Sequence, residues 1–125
     1  SSLYRTAPVD LRNQPDFINA VVSVETMLGP RQLLDELFAV EARFGRQRSV
    51  PNAPRTLDLD LLLHGKTVSD NPELTLPHPR MHKRAFVLVP LAEIAPALAL
   101  PKHGRIADLL EKCRDQEIAA LAARV

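Results

Sequence analysis

Residues 54–63 read Pro-Arg-Thr-Leu-Asp-Leu-Asp-Leu-Leu-Leu, and no other stretch restricts the fold as tightly. Leucines at alternate positions are the signature of a strand with one buried face. Side chains alternate across a strand, so Asp58 and Asp60 share one face while Leu57, Leu59 and Leu61 share the other. Two like charges about 7 Å apart on a rigid sheet repel each other. A divalent cation is the simplest way to offset that repulsion. Hard oxygen ligands suit Mg²⁺, which takes one or two protein carboxylates and completes its shell with water and substrate phosphate. The plainer alternative is an amphipathic strand with a wet acidic face. The flanks favour the cation, because an arginine-rich stretch precedes the pair and a basic segment with histidines follows it.

A chain of 125 residues is one domain's worth, and 46% hydrophobic content supports a sizeable core. The net charge of +1 gives no global case for nucleic acid or an acidic membrane, so neither is expected as a partner. The distribution is more telling. Residues 42–57 hold four arginines (Arg43, Arg46, Arg48 and Arg55) and no acid, a cationic patch suited to phosphate or carboxylate. The single cysteine, Cys113, cannot form an internal disulfide, which suits a reducing compartment such as the cytoplasm. It is expected to be a buried or half-buried thiol. No run is long and apolar enough to span a membrane, no signal peptide is visible, and the chain has no initiator Met.

Periodicity predicts a strand over 1–7 and a long strand over 16–28. Gly29-Pro30 then starts a helix, with proline at its first position, and Gly45 ends it. Leu33, Leu34, Leu37, Phe38 and Phe44 form the helix's apolar stripe. The stripe asks for another apolar residue at 41, but Glu41 stands there. Residues 46–55 read as a loop and 56–63 as the strand carrying the aspartates. A turn at 64–66, a short strand at 67–68, a turn at 70–72 and a strand at 74–76 follow. Residues 84–94 read as a buried helix with Pro90 near its start or at a kink, and 97–100 as a short strand. Residues 106–113 and 116–123 read as two terminal helices. The order fits an α+β sandwich, helices packed on a mainly antiparallel sheet.

Four segments together resemble the 6-hydroxymethyl-7,8-dihydropterin pyrophosphokinase family of folate biosynthesis. They are Tyr-Arg-Thr-Ala-Pro at 4–8, Gln-Pro-Asp-Phe-Ile-Asn-Ala-Val at 14–21, Asn-Ala-Pro-Arg-Thr-Leu-Asp-Leu-Asp-Leu-Leu at 52–62, and Leu-Pro-His-Pro-Arg-Met-His-Lys-Arg-Ala-Phe at 76–86. They occur in the family's order at closely similar spacing. The resemblance covers the whole chain and weakens in the terminal helices. It implies a ferredoxin-like sandwich with C-terminal additions and transfer of the terminal pyrophosphoryl unit of ATP to the pterin's hydroxymethyl group, giving AMP.

The resemblance also implies roles for residues. Asp58 and Asp60 match ligands of two Mg²⁺ ions that bridge them to the ATP phosphates, and Arg46 and Arg55 match arginines acting on those phosphates. Arg48, Glu41, Leu61, Thr75, His78 and Arg84 match nucleotide-contacting positions. Phe17 and Asn19 match the pterin-binding aromatic and amide, Thr6, Pro8 and Val9 line the same pocket, and Phe86 matches the ring on the pterin's other face. On the residues alone, Phe17 and Phe86 could equally be core, and Glu41 is either a partly exposed helix edge or a ligand contact. His82 and Lys83 are expected at the periphery, and His64 and His103 at the surface.

Two departures stand out. Where the family commonly has Arg-Trp-Gly before Pro-Arg, residues 50–53 read Val-Pro-Asn-Ala, so the covering tryptophan is absent and the loop is a residue shorter. The family's first strand, glycine-containing turn and first helix would precede Ser1, so 1–125 is expected to be one pterin pyrophosphokinase domain, N-terminally incomplete. A monomer, possibly coupled to other folate-pathway enzymes, is expected. Two other classes compete: a non-catalytic ligand-binding module on the same fold, with no use for Asp58, Asp60 and Arg55 together, and an RNA-binding module. The near-neutral charge, one tyrosine and no tryptophan argue against the latter.

Overall fold

A computed structural model describes residues 1–6, 17–45 and 57–121. The chain divides into two compact units, Ser1–Val24 with Pro79–Val125, and Glu25–His78. Small antiparallel sheets and three helices make up the described elements, the α+β class read from the sequence and in keeping with a ferredoxin-like fold.

In the first unit, β1 (Tyr4–Thr6) lies between β2 (Phe17–Asn19) and β7 (Ala119–Ala120), antiparallel to both. The register sets Tyr4 opposite Asn19 and Thr6 opposite Phe17. A single turn of 3₁₀-helix (Met81–Lys83) leads into α2 (Ala85–Ile94), which packs on β1 and on α3 (Ile106–Glu111). The core gathers Tyr4, Met81, Leu88, Leu91, Leu100, Ile106, Leu109 and the Cys113 thiol. Pro90 sits inside α2, where it cannot donate to the carbonyl four residues back, and it is buried. The hairpin of β5 (Ala99–Leu100) and β6 (Gly104–Arg105) turns through Lys102 and Gly104, both at positive φ.

In the second unit, α1 (Pro30–Arg43) begins and ends where Gly29-Pro30 and Gly45 place its ends. Gln32 reaches back to accept the Gly29 N–H at 3.1 Å, satisfying a donor at the helix start. Gly45 adopts φ +86, open to glycine without strain. The helix packs on β4 (Leu74–Leu76), which pairs with β3 (Ser69–Asn71). Asn71 Oδ1 accepts the Glu73 N–H at 3.0 Å and closes the turn between them.

Several sequence readings are corrected. The strand expected over 16–28 is three residues long, β2. Beyond it, Val21 bonds through both main-chain groups to Ser1, to its amino group and its hydroxyl, and Val22, Val24 and Met27 are exposed. Residues 57–64 form no strand with other described residues. The strand expected at 67–68 begins at Ser69, because Thr67 donates its N–H to the His64 carbonyl and is still in the turn. The helix expected from Gln116 is absent over 116–121. Gln116 spends its side chain on the start of α2, accepting the Ala85 N–H at 2.9 Å and donating to the Lys83 carbonyl at 2.8 Å. Ala119 and Ala120 then serve β1 as an edge. Phe44 leaves the apolar stripe of α1 and lies exposed.

Candidate active site

The first unit positions the residues expected to meet the pterin. Thr6 is buried at the end of β1, and Asn19 is half-buried at the end of β2. Their register makes them diagonal neighbours, and the Asn19 Nδ2 donates to Thr6 Oγ1 at 2.9 Å. An amide in a strand must find partners, and here one partner is the second residue the sequence singled out. Phe17 lies on β2 opposite Thr6; its side chain, with Pro8 and Val9, falls outside the described residues.

Phe86 occupies the first turn of α2, half-buried. The Arg84 guanidinium lies 5.2 Å from the centre of its ring, a cation–π contact that fixes a permanent positive charge against an aromatic face. The packing of α2 on β1 brings the elements bearing these pairs together within one unit.

The second unit positions the acidic pair. Leu57, Leu59 and Leu61 are half-buried while Asp58 and Asp60 are exposed. The alternation inferred from the sequence thus holds although 57–64 pairs with no described strand. Main-chain groups of the segment are bonded to the rest of this unit. The buried Glu41 carboxylate accepts the Leu59 N–H at 2.8 Å, and the Leu62 carbonyl accepts the His78 N–H at 2.8 Å. Glu41 is 1% exposed, so the reading of a partly exposed helix edge is corrected. Thr75, half-buried on β4, donates its hydroxyl to the Asn71 carbonyl at 3.0 Å. Arg46, Arg48 and Arg55 lie outside the described residues.

The acidic pair fits a hard cation whose remaining ligands come from elsewhere. Among the described residues no group of three or more His, Cys, Asp or Glu side chains could hold a metal by itself. Two exposed carboxylates suit an ion that keeps water and phosphate oxygens in most of its positions.

The histidines differ from expectation. His64 is half-buried, its Nε2 2.9 Å from the Leu28 carbonyl oxygen. His82 and His103 stack with ring centres 3.7 Å apart and planes 7° from parallel. The Nδ1 of His82 is buried and has no hydrogen-bond partner among the described residues. Burial, then the neighbouring charges of His103, Lys83 and Lys112, pull the His82 pKa below its ordinary value. Positions 82 and 103 are far apart in sequence and follow no spacing rule, so only the fold brings them together. The Cys113 thiol is pushed up by burial and by Asp115.

Comparison with known proteins shows the family. The family model of 7,8-dihydro-6-hydroxymethylpterin-pyrophosphokinase matches residues 1–96. The 2-amino-4-hydroxy-6-hydroxymethyldihydropteridine pyrophosphokinase of Haemophilus influenzae is 46% identical over 121 residues, 97% of this chain and 76% of that protein. The Pseudomonas aeruginosa protein of the same name is also 46% identical, covering 97% of this chain and 75% of its own length. The mitochondrial folate synthesis bifunctional protein of Arabidopsis thaliana is 45% identical over 94 residues, 75% of this chain and 17% of that protein. Matches of this extent define an enzyme class that transfers pyrophosphate. The chain belongs to the 7,8-dihydro-6-hydroxymethylpterin-pyrophosphokinase family.

Proposed function

We infer that the chain works as the pyrophosphokinase of folate biosynthesis that its family membership makes it. The observation that carries this is 46% identity, across 97% of the chain, to relatives named for that reaction. The pterin's hydroxymethyl oxygen attacks the β-phosphorus of ATP. The bond from that phosphorus to the oxygen bridging the α- and β-phosphates breaks, AMP leaves, and the hydroxyl loses its proton. The non-catalytic module is not favoured, since these relatives are named as enzymes.

The assignment of residues is our proposal. Asp58 and Asp60 would hold two Mg²⁺ ions between the protein and the ATP phosphates. Such ions neutralise phosphate charge and hold the reacting groups in line. Arg46 and Arg55 add permanent forked cations to the transferring phosphates, and Arg48 to the nucleotide. Leu61, Thr75 and His78 contact the nucleotide, and Arg84 presents it a guanidinium steadied on Phe86. Asn19 pairs with the edge of the pterin, its amide oriented by Thr6. Phe17 and Phe86 stack on its faces, and Thr6, Pro8 and Val9 line its surroundings.

We place the whole of 1–125 in one domain of this enzyme, acting in the cytoplasm as a monomer. No helix among the described residues is long and apolar enough to cross a membrane, and Cys113 is a free, buried thiol. Coupling to other folate enzymes draws support from the relative named as bifunctional. The test is incubation with ATP, 6-hydroxymethyl-7,8-dihydropterin and Mg²⁺, with the products separated by chromatography. AMP and the pterin diphosphate should form in equal amounts and only when all three are present. Release of ADP, or AMP formed without pterin, would overturn the reading.

A further inference from the structure

We propose that Glu41 is a positioning residue for the acidic pair: its buried carboxylate fixes the main chain between Asp58 and Asp60, and so the direction in which both face a cation. This rests on the reading of those aspartates as Mg²⁺ ligands. Position 41 belongs to the apolar stripe of α1, and the carboxylate there is 1% exposed. A buried carboxylate is costly unless hydrogen-bonded. One of the groups it bonds is the N–H of Leu59, 2.8 Å away, the residue between the two aspartates. A main-chain donor to a carboxylate is a charge-assisted bond, stronger than its neutral counterpart.

The setting gives the bond its consequence. Among the described residues 57–64 joins no sheet, and the Glu41 carboxylate holds its peptide plane at Leu59. The Leu59 N–H belongs to the peptide that Asp58 begins, and in extended backbone the side chains on either side of 59 point away from its own. Holding that N–H fixes the rotation of the segment about its own axis, and in that rotation Leu59 is half-buried while Asp58 and Asp60 are exposed. Mg²⁺ demands near-ideal octahedral geometry, so a loosely held carboxylate pair would bind it less well.

The test compares Glu41→Gln, whose amide oxygen can still accept the Leu59 N–H, with Glu41→Met, which fills the space without an acceptor. Three quantities are read: the Mg²⁺ concentration giving half-maximal AMP formation, affinity for AMP without metal, and exchange of the Leu59 amide proton by NMR in the metal-free protein. Glu41→Met should raise the Mg²⁺ requirement about tenfold or more and speed Leu59 exchange by a similar factor, with AMP affinity unchanged. Glu41→Gln should stay near the wild-type protein in all three. Equal impairment by both variants, or weaker metal-free AMP binding, would overturn the proposal. So would unaltered Mg²⁺ dependence in a folded Glu41→Met protein. If Glu41→Met does not fold, Glu41→Gln decides alone: a protected Leu59 amide with normal Mg²⁺ dependence supports the role, and a tenfold shift overturns it. Wild-type turnover without Mg²⁺ would instead bring down the metal reading itself.

Discussion

The side-chain amide of Asn19 donates to the hydroxyl oxygen of Thr6 at 2.9 Å, across two neighbouring strands and diagonal to their register. This bond fixes the rotation of the amide. The carbonyl oxygen and second N–H of Asn19 therefore have set directions, which is what recognition of a heterocycle's edge requires.

Loss of this pair should act on the pterin and spare ATP. Asn19→Ala should weaken pterin binding by roughly 1–3 kcal/mol, the cost of leaving polar groups unpaired. Thr6→Val should weaken it in the same direction and by less, because Asn19 remains but loses its orienting acceptor. Calorimetric titration of each variant and of the double variant checks this. The double variant should lose less than the sum, as residues sharing one bond are coupled. Equal losses of pterin and ATP affinity would indicate a folding defect and remove the assignment.

Asp58 and Asp60 are both exposed, and their like charges repel each other. Asp58→Asn and Asp60→Asn should each lower AMP production by about a hundredfold or more, the scale of lost metal-assisted charge stabilisation. Thermal midpoints should be unchanged or slightly raised, since one repulsion disappears. Near-normal turnover in either variant would show that the carboxylates are only a wet face.

Arg84 holds a planar cation 5.2 Å from the Phe86 ring centre. Lysine in its place keeps the charge but loses both the plane and the fork. Arg84→Lys should weaken ATP binding several-fold and Arg84→Ala more, with the helical signal of α2 intact in both. Unaltered ATP affinity in Arg84→Ala, measured by titration, would leave the pair as a packing contact alone.

What the sequence disclosed was local, and what it concealed was not. Gly29-Pro30 and Gly45 mark the ends of α1 because proline and glycine act within a turn of where they stand. The faces of Asp58 and Asp60 were legible for a similar reason, since alternation is a property of extended backbone. Whether that backbone joins a sheet depends on partners distant in sequence, and among the described residues it does not. Residues 116–121 misled in the same way: their apolar spacing allows a helix, but Tyr4 needs a neighbour and Ala120 supplies it. Glu41 was legible as an anomaly, an acid in an apolar stripe, without its partner being nameable.

The stacked histidines give the fold a pH dependence whose sign can be worked out. The buried Nδ1 of His82 has no hydrogen-bond partner among the described residues, and burial first, with His103, Lys83 and Lys112 behind it, disfavours the protonated ring. The folded-state pKa of His82 therefore lies below that of the unfolded chain, about 6.5 for histidine. Between the two values the unfolded chain binds more protons than the folded one, so stability rises with pH across that window. The contribution is fully present above about 6.5 and is lost as pH falls through the window toward the folded-state pKa. A proton forced onto His82 would also face the His103 ring at 3.7 Å. His82→Gln removes this titration. Thermal midpoints measured from pH 7.5 to 5.0 should fall more steeply for the wild-type protein than for the variant, with the two curves diverging below about pH 6.5. Parallel curves over that range would show that His82 titrates alike in both states, and that the stack does not hold it neutral.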